Sequence, residues 1–253
     1  MENVISQSIV MRVREFGETD LLVSFFSRDM GRLKGVAKGA RRSTKRFPNC
    51  LDLFSLVSME FRCGRRGDLY FLDSCRLIHG FPGLRSEYAR IFLASYLFEL
   101  TEVLFPLGVT DKDMFDLLIK SLYVIERGQE NYPIRSFFEA RAMALGGFEI
   151  ALDRCCHCGR KYSGEGRAVF SARGGGIACQ KCLDESQLSP GLAPESVAFL
   201  RKMQNERLDQ NEAIQLSQEC IGEIETTLKL HLKYRLGREL KTSFYLDRSP
   251  VAT

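Results

Sequence analysis

The chain of 253 residues is 45% hydrophobic and 27% charged, with 36 Lys and Arg against 32 Asp and Glu and a net charge of +4. This apolar content excludes disorder as a description of the whole chain, and the sequence has neither a run of about 18 apolar residues nor the basic and apolar regions of a signal peptide. We therefore expect a soluble cytosolic protein with no membrane partner. In that compartment the nine cysteines favour metal binding over disulfides.

The first 80 residues are predicted to form short β-strands. In IVMRV, Ile9, Met11 and Val13 alternate with Val10 and Arg12 in the period of a half-buried strand, and further apolar stretches are separated by turn-forming sequences such as GETD and CGRRG. The predicted strands cover residues 9–13, 21–27, 32–39, 53–61 and 68–74. This pattern is typical of a small closed barrel of the OB type, although an SH3-like barrel has much the same pattern. We assign residues 1–80 to this nucleic-acid-binding domain.

Positive charge is concentrated in one part of that domain. Residues 28–46 contain eight Lys or Arg and a single carboxylate, Asp29. Such a run is often only a solvated surface, but Gly31, Gly35 and Gly39 are expected to let the backbone approach a ligand closely, and OB barrels commonly bind oligonucleotides along a strand face and its loops. We therefore predict a cationic track that begins on the third strand and continues into the following loop. Its cations are Arg32, Lys34, Lys38, Arg41, Arg42, Lys45 and Arg46.

Base stacking is expected to contribute less than phosphate contacts. The chain has no Trp. Phe47 and Tyr70 are the candidates for stacking on bases, whereas Phe25 and Phe26 are expected in the core. Binding should therefore depend weakly on base sequence and steeply on salt concentration.

After Pro82 the hydrophobic pattern becomes that of helices. Five helices are predicted, over residues 86–105, 110–127, 133–147, 195–208 and 212–236. The first is apolar on nearly every face, as expected of a central buried helix. We assign residues 81–153 and 184–245 to the two parts of one helical domain, and residues 246–253 to a frayed tail.

The polar side chains of these helices are expected to be structural. Asp111 and Asp113 begin a helix in the manner of a capping box, and Glu223 and Glu225 are expected to be surface charges. His231 is expected to be partly buried and hydrogen-bonded. The sequence has no Ser-His-Asp order and no G-x-S-x-G, H-E-x-x-H or P-loop motif, so no enzymatic activity is expected.

Residues 154–183 form a glycine-rich insertion between the helices, which we call the cysteine module. Two C-x-x-C pairs separated by twenty residues are typical of two knuckles that together hold one structural zinc ion (Zn²⁺). The predicted ligands are Cys155, Cys158, Cys179 and Cys182. Cys156 is expected to pack or to face solvent as a free thiol, and the isolated cysteines are expected to be buried; these are Cys50, Cys63, Cys75 and Cys220.

The cations of the cysteine module are expected to form a solvated surface, although contact with a polyanion is the alternative. They are Arg160, Lys161, Arg167, Arg173 and Lys181. The residues alone thus leave two functions open. One is a protein that binds nucleic acid through the barrel, and the other is a zinc-ribbon adaptor or regulator associated with nucleic acid, in which the zinc module makes the main contacts.

Four segments resemble the RecO family of bacterial DNA repair and recombination mediators. They are FGETDLLVSFFSRDMGRLKGVAKGARRSTKRF in the barrel domain, LASYLFELTE in the first helix, the C-x-x-C-G and C-x-x-C pairs, and GRELKTSFYL after the last helix. The resemblance covers the whole chain, and KGARR is more specific than the zinc module, because zinc ribbons occur in many proteins. The implied fold is α+β: an N-terminal OB-fold β-barrel followed by an all-α helical domain with an inserted zinc module of four cysteines.

The resemblance also implies a function and partners. The implied protein is a non-enzymatic mediator of the RecF pathway that binds single- and double-stranded DNA, anneals complementary strands and helps to load RecA on DNA coated with single-stranded-DNA-binding protein (SSB). Its implied protein partners are RecR and the acidic C-terminal tail of SSB, with RecA as an indirect partner, at the nucleoid in the bacterial cytoplasm. The resemblance assigns DNA binding to Lys34, Lys38, Arg41, Arg42, Lys45 and Arg46, and zinc binding to the four cysteines of the C-x-x-C pairs.

Overall fold

The computed structural model describes residues 3–64, 69–128, 133–182, 190–206 and 216–246. The chain divides into two compact units. The first comprises Met1–Phe98 and Phe105–Arg127, and the second comprises Glu99–Leu104 and Gly128–Thr253. The cationic track therefore belongs to the first unit and the cysteine module to the second.

The first unit contains a closed barrel of five strands. They are β1 (Asn3–Phe16), β2 (Asp20–Ser27), β3 (Gly31–Ala37), β4 (Leu56–Cys63) and β5 (Tyr70–His79). Around the barrel the order is β1-β2-β3-β5-β4, and β4 pairs with β1 to close the ring. The pairs are antiparallel except that of β3 with β5. The predicted OB-like barrel and its five strands are confirmed, with Asp68 of the last predicted strand outside the described residues.

Aromatic side chains fill the barrel and cover one of its outer faces. Phe25 on β2 and Phe61 on β4 are fully buried, and their rings meet edge to face with centroids 5.3 Å apart. Phe26 points to the opposite side of β2, because successive side chains of a strand alternate. The centroid of its ring lies 5.8 Å from the centroid of the Phe115 ring. The prediction that Phe25 and Phe26 are core residues is confirmed.

Six α-helices lie within the described residues. They are α1 (Tyr88–Leu104), α2 (Lys112–Arg127), α3 (Ile134–Leu145), α4 (Pro194–Asn205), α5 (Gln218–Leu236) and the short α6 (Ser243–Leu246). The five predicted helices are confirmed; residues 207–208 and 212–215 of the last two, and residues 247–253 of the predicted tail, lie outside the described residues. As predicted, Asp111 caps α2, where its Oδ1 accepts the N–H of Met114 at 2.8 Å.

The first helix is less buried than its sequence predicts. Tyr88 at its start is 81% exposed, whereas Leu97 and Leu100 are fully buried. The expectation of a central buried helix is therefore wrong for the start of α1. An apolar residue on a helix need not be buried, because a folded protein exposes much apolar surface.

The second unit contains a small sheet that the sequence analysis did not predict. Its strands are β6 (Ala168–Ser171), β7 (Gly176–Ala178) and β8 (Gly191–Leu192), in the order β7-β6-β8. The first two lie in the cysteine module, and β8 follows it in the chain. The module is therefore joined by strand pairing to the segment that leads into α4, through Ala168 with Leu192 and Val169 with Gly191.

Two polar residues of α5, Glu223 and His231, have side chains with little or no exposed surface. Glu223 accepts the N–H of Ala193 at 2.8 Å and the hydroxyl hydrogen of Ser196, and only 10% of its side chain is exposed. The expectation that Glu223 is a surface charge is wrong, because it satisfies donors at the start of α4. His231 is fully buried, more than predicted, and its Nε2 donates to the carbonyl of Phe148 at 2.7 Å, which confirms the predicted hydrogen bond.

Candidate nucleic-acid interface and metal centre

The predicted cationic track is exposed over most of its length. β3 ends at Ala37, and residues 38–47 after it form what we call the basic loop. Lys34 is the exposed residue of an otherwise buried β3. All six side chains predicted to bind DNA are exposed: Lys34, Lys38, Arg41, Arg42, Lys45 and Arg46.

The turn between β1 and β2 holds the start of the basic loop. Asp20 Oδ1 accepts the N–H of Gly39 at 2.8 Å and the hydroxyl hydrogen of Thr19 at 3.0 Å. The carbonyl of Thr19 accepts the N–H of Arg41 at 3.0 Å. Gly39 has a φ of 66°, a left-handed conformation that favours glycine. The hydrogen bonds that the Asp20 carboxylate accepts, from Gly39 first and then from Thr19, lower its pKa.

Two of the six cations are bound to the protein itself. Arg41 donates through Nη1 to the carbonyl of Glu18 at 3.1 Å, and its Nη2 lies 3.2 Å from Glu15 Oε1. Arg46 donates through Nη2 to the carbonyl of Lys38. Both guanidinium groups thus support the conformation of the loop, and part of their hydrogen-bonding capacity is already used.

The other four cations form no ion pair within the described part of the chain. They are Lys34, Lys38, Arg42 and Lys45. The ammonium of Lys38 lies 5.1 Å from the centroid of the Phe71 ring, and its charge also acts on the Asp20 carboxylate without forming an ion pair with it. Unpaired cations on a strand and its adjoining loop are suited to several successive phosphates of a nucleic-acid strand.

Two residues that the sequence placed on the track are buried instead. Arg32 is 9% exposed and donates through Nη1 to the carbonyl of Phe105 at 2.7 Å. Arg32 and Lys34 share a face of β3, but the chain at Phe105 covers Arg32. Phe47 is 5% exposed and belongs to the barrel core together with Leu51. The predictions that Arg32 lies on the track and that Phe47 stacks on bases are therefore wrong. Stacking by Tyr70 stays a prediction.

The glycines of β3 serve the packing of the barrel. A Cβ at Gly31, where φ is +72°, would lie 2.1 Å from the carbonyl oxygen of Val109, and a Cβ at Gly35 would lie 2.6 Å from Leu72 Cδ2. The expectation that Gly31 and Gly35 let a ligand approach is therefore wrong, because the chain itself occupies that space.

The four predicted metal ligands come together in the cysteine module. The Sγ atoms of Cys155, Cys158, Cys179 and Cys182 all lie within 4.8 Å of one another. Cys158 Sγ and Cys179 Sγ are 3.8 Å apart, the separation expected of two sulfurs bound at about 2.3 Å to one tetrahedral ion. Two tight turns build this arrangement: the N–H of Gly159 donates to the carbonyl of Cys155, and that of Cys182 to the carbonyl of Cys179, both at 2.9 Å.

The surroundings of the cluster stabilise negative charge on one sulfur and oppose it on another. Burial raises the pKa of Cys155, but the N–H groups of Cys158, Cys179 and His157 outweigh that effect and lower it to about 6. Hydrogen bonds with Cys158 and Cys179 raise the pKa of Cys182 to about 12. A bound cation would attract the negative charge of each sulfur and so favour the thiolate form of all four cysteines. The donor set thus fits one metal ion.

The remaining cysteines lie outside the cluster. The N–H of Cys156 donates to the carbonyl of Ile177 at 2.8 Å, and burial raises the pKa of its thiol. Cys156 is not one of the four clustered thiols. Of the four isolated cysteines, Cys63 is exposed, so the expectation of burial is wrong for it. The three that are buried are Cys50, Cys75 and Cys220.

The cations of the cysteine module differ in their availability. Arg167 is ion-paired with Glu223 and lies 3.6 Å from Glu219 Oε1. Arg160, Lys161, Arg173 and Lys181 are exposed. Lys161 faces Arg154 across an antiparallel β-bridge, so two like charges lie side by side on the first knuckle.

The cations of the track are evident in the sequence, but the residues that hold them in place are not. Asp20 accepts the N–H of Gly39, and Glu15 is ion-paired with Arg41. Asp20 belongs to the polar GETD sequence, which was interpreted as a simple turn, whereas nothing in the sequence marked Glu15. Among the described residues, none of the helices combines the length and apolar character that crossing a membrane requires.

Comparison with known proteins identifies the family. The family described as Recombination protein O N terminal matches residues 1–81, and Recombination protein O C terminal matches residues 85–244. The chain is 32% identical to the DNA repair protein RecO of Syntrophus aciditrophicus, over 96% of this chain and 94% of that protein. It is 31% identical to proteins of the same name from Anaeromyxobacter sp. strain K (98% and 97% covered) and Desulfatibacillum aliphaticivorans (97% of each covered). The chain therefore belongs to the RecO family of DNA repair and recombination proteins.

Proposed function

We propose that this protein is a recombination mediator that binds single- and double-stranded DNA through the cationic track, anneals complementary strands and helps to load RecA on SSB-coated DNA. The observation that carries the proposal is the group of exposed, unpaired cations on β3 and the basic loop. The protein acts by binding, without covalent chemistry. Its proposed partners are DNA, RecR and the acidic C-terminal tail of SSB.

The charge of the track accounts for annealing. Two complementary strands repel each other through their phosphates, and each bound strand releases condensed counterions when Lys or Arg replaces them. A surface with several unpaired cations lowers that repulsion while leaving the base edges free to pair. Contacts to phosphates position a strand but do not read its sequence, which suits a protein that must act on any sequence.

The proposed cofactor is one structural zinc ion held by the four clustered cysteines. Soft thiolate ligands at tetrahedral spacing favour zinc among the common divalent metals, and a site with four protein ligands has no open position for a substrate. When bound, the ion would cross-link the two knuckles. The role of the metal is thus to stabilise the module.

A second candidate is an adaptor in which the cysteine module makes the main contacts with nucleic acid. It is favoured by the pair formed by Arg154 and Lys161, both exposed and facing each other across a β-bridge. Like charges directly opposite each other are destabilising, and a bound polyanion would relieve that repulsion. Arg160, which is also exposed, lies in the same knuckle.

Strand annealing on SSB-coated DNA tests the main proposal and separates the two candidates. Complementary oligonucleotides, each coated with SSB, are mixed without ATP, and duplex formation is followed by fluorescence. We expect rapid annealing that fades as salt is added. Absence of annealing under all salt conditions would contradict the mediator function.

Two double variants with equal loss of charge locate the interface. Arg42→Ala/Lys45→Ala changes the basic loop, and Arg160→Ala/Lys161→Ala changes the cysteine module. The main proposal predicts a loss of affinity of about tenfold or more in the first variant and little change in the second. The reverse result would assign the contacts to the cysteine module.

A further inference from the structure

A carboxylate lies within the cationic track, although negative charge there opposes binding of a polyanion. Asp20 is half-buried, and the basic loop begins directly against it. Among the charges that act on it is that of Lys38, one of the proposed DNA-binding cations. Charge alone would therefore make Asp20 unfavourable for DNA binding at this position. A structural role in the loop would have to outweigh its repulsion of phosphate.

We propose that Asp20 is a positioning residue, which fixes the basic loop in the conformation that binds DNA, so that removing this carboxylate weakens binding even though it makes the surface more positive. The proposal rests on the proposed function, because it assumes that the loop binds DNA. It assigns Asp20 no contact with the nucleic acid itself.

The hydrogen bonds of Asp20 act at the point where the loop changes direction. Asp20 Oδ1 accepts the N–H of Gly39, the residue with a φ of 66° that separates Lys38 from the following turn. The carbonyl of Gly39 then accepts the N–H of Arg42 at 3.2 Å, which closes a single 3-10 turn. Fixing Gly39 therefore fixes the backbone that carries a cation on each side of it, Lys38 before and Arg42 after.

The contacts around Asp20 form a set on the β1–β2 turn. Thr19 contributes both its hydroxyl, which donates to Asp20, and its carbonyl, which accepts the N–H of Arg41. The carbonyl of Glu18 accepts from the Arg41 guanidinium. Of these acceptors, the Asp20 carboxylate is the one supplied by a side chain, so it can be removed without changing the backbone of the turn.

Preorganisation explains how this carboxylate can strengthen binding. A loop that is ordered before it meets DNA does not lose that conformational freedom on binding, and ordering a flexible side chain or segment otherwise reduces affinity. Glycine has more freedom to lose than any other residue. Without its acceptor, the N–H of Gly39 would be left to solvent, and the loop would be held less firmly, by the remaining contacts of Arg41 and Arg46.

The test compares three variants that each remove one negative charge from the same turn. Asp20→Ala removes the acceptor, Asp20→Asn keeps a neutral amide oxygen that can still accept from Gly39, and Glu18→Gln changes an exposed side chain on the same turn. Binding to a single-stranded oligonucleotide is measured by fluorescence anisotropy over a range of salt concentrations. A purely electrostatic role predicts equal, slightly tighter binding by all three, by about twofold.

We expect a graded result instead. Glu18→Gln binds as tightly as wild type or about twofold tighter, and Asp20→Ala binds about three- to tenfold more weakly with a shallower salt dependence, because fewer phosphates are contacted. The affinity of Asp20→Asn should lie between those of the other two variants. Charge cannot explain this order, because all three variants lose the same charge. If Asp20→Ala binds as tightly as Glu18→Gln, the proposal is overturned. If Asp20→Ala does not fold, Asp20→Asn against Glu18→Gln makes the same comparison.

Hydrogen exchange at the amide of Gly39 provides a measurement without DNA. We expect this amide to be protected in wild type and in Glu18→Gln, less so in Asp20→Asn and unprotected in Asp20→Ala, with the amides of β2 unchanged in all four proteins. Fast exchange of Gly39 in wild type would overturn the proposal. A wild-type protein that has a protected Gly39 but binds no DNA overturns the proposed function, and the role of Asp20 in DNA binding with it.

Discussion

Nη2 of Arg41 lies 3.2 Å from Oε1 of Glu15, so one of the six cations assigned to DNA already has a carboxylate partner. The side chains of both residues are substantially exposed, at 41% for Arg41 and 70% for Glu15. An exposed ion pair of this kind is weak, and a phosphate can compete with the carboxylate for the guanidinium. Glu15 is therefore a competitor of DNA for Arg41.

Replacement of Glu15 by Gln should strengthen DNA binding. We expect Glu15→Gln to raise the affinity about threefold and to steepen the slope of log K against log salt by about one, because Arg41 becomes available to a further phosphate. Glu18→Gln is the matched control, since it removes the same charge from the same hairpin. Anisotropy titrations over a salt series give both quantities, and identical slopes for the two variants would show that the ion pair does not restrain Arg41.

Close packing at Gly31 gives a prediction about stability. Gly31→Ala should lower the free energy of unfolding by about 3 kcal/mol or more. Its Cβ would clash with the backbone of Val109, and alanine would also be strained at this positive φ. Gly17 has a similar φ of +69° with nothing within 4 Å of the place a Cβ would occupy, so Gly17→Ala should cost only about 1 kcal/mol. Urea denaturation measures both, and equal losses would contradict the packing role of Gly31.

The strands, the helices and the metal ligands were predictable because their signals are local. The apolar stretch LLVSFFS, which follows the turn-forming GETD, lies in β2, and the two C-x-x-C pairs bring their own turns with them, as the N–H of Gly159 shows. The small sheet was missed because β7 and β8 have only three and two residues, too few to show a period.

The roles of individual polar residues were not predictable because they depend on segments distant in sequence. Arg32 and Lys34 occupy equivalent positions of one strand, but Phe105 lies over the first and leaves the second exposed. In the sequence, Glu223 looks like any polar residue of a helix. In the fold, the N–H of Ala193 donates to its carboxylate. In each case the distant contact decides whether a charge is part of a binding surface or of the folded framework.

Glu223 should make the protein sensitive to acid. Burial raises its pKa, but the N–H of Ala193, the hydroxyl of Ser196 and Arg167 outweigh burial and lower the pKa from its ordinary value of 4.5. Because the pKa is lower in the folded state, this carboxylate contributes stability above pH 4.5, and the contribution is lost as the pH falls through the folded-state value. Acid should therefore weaken the attachment of α4 to α5.

Comparison of Glu223→Gln with wild type tests this dependence. We expect the variant to be less stable by about 1–3 kcal/mol at pH 7, since a charged acceptor of several hydrogen bonds is replaced by a neutral one. The difference should shrink as the pH is lowered below 4.5, where the wild-type carboxyl also becomes neutral. Urea denaturation at several pH values measures the difference, and a constant difference across that range would contradict the assignment.

Removal of one clustered thiol should release the metal and destabilise the second unit. Cys179→Ser is expected to reduce the zinc content from one ion per chain to none and to lower stability by about 4 kcal/mol or more, because metal binding at a structural site is coupled to folding. Cys156→Ser is the matched control, because Cys156 adjoins a ligand but lies outside the cluster. Elemental analysis and thermal unfolding of the purified proteins measure both effects. The ligand set would be contradicted if the Cys179→Ser protein keeps its metal or if the Cys156→Ser protein loses it. If the Cys179→Ser protein loses its metal but binds DNA as wild type does, the role of the ion is confined to stability.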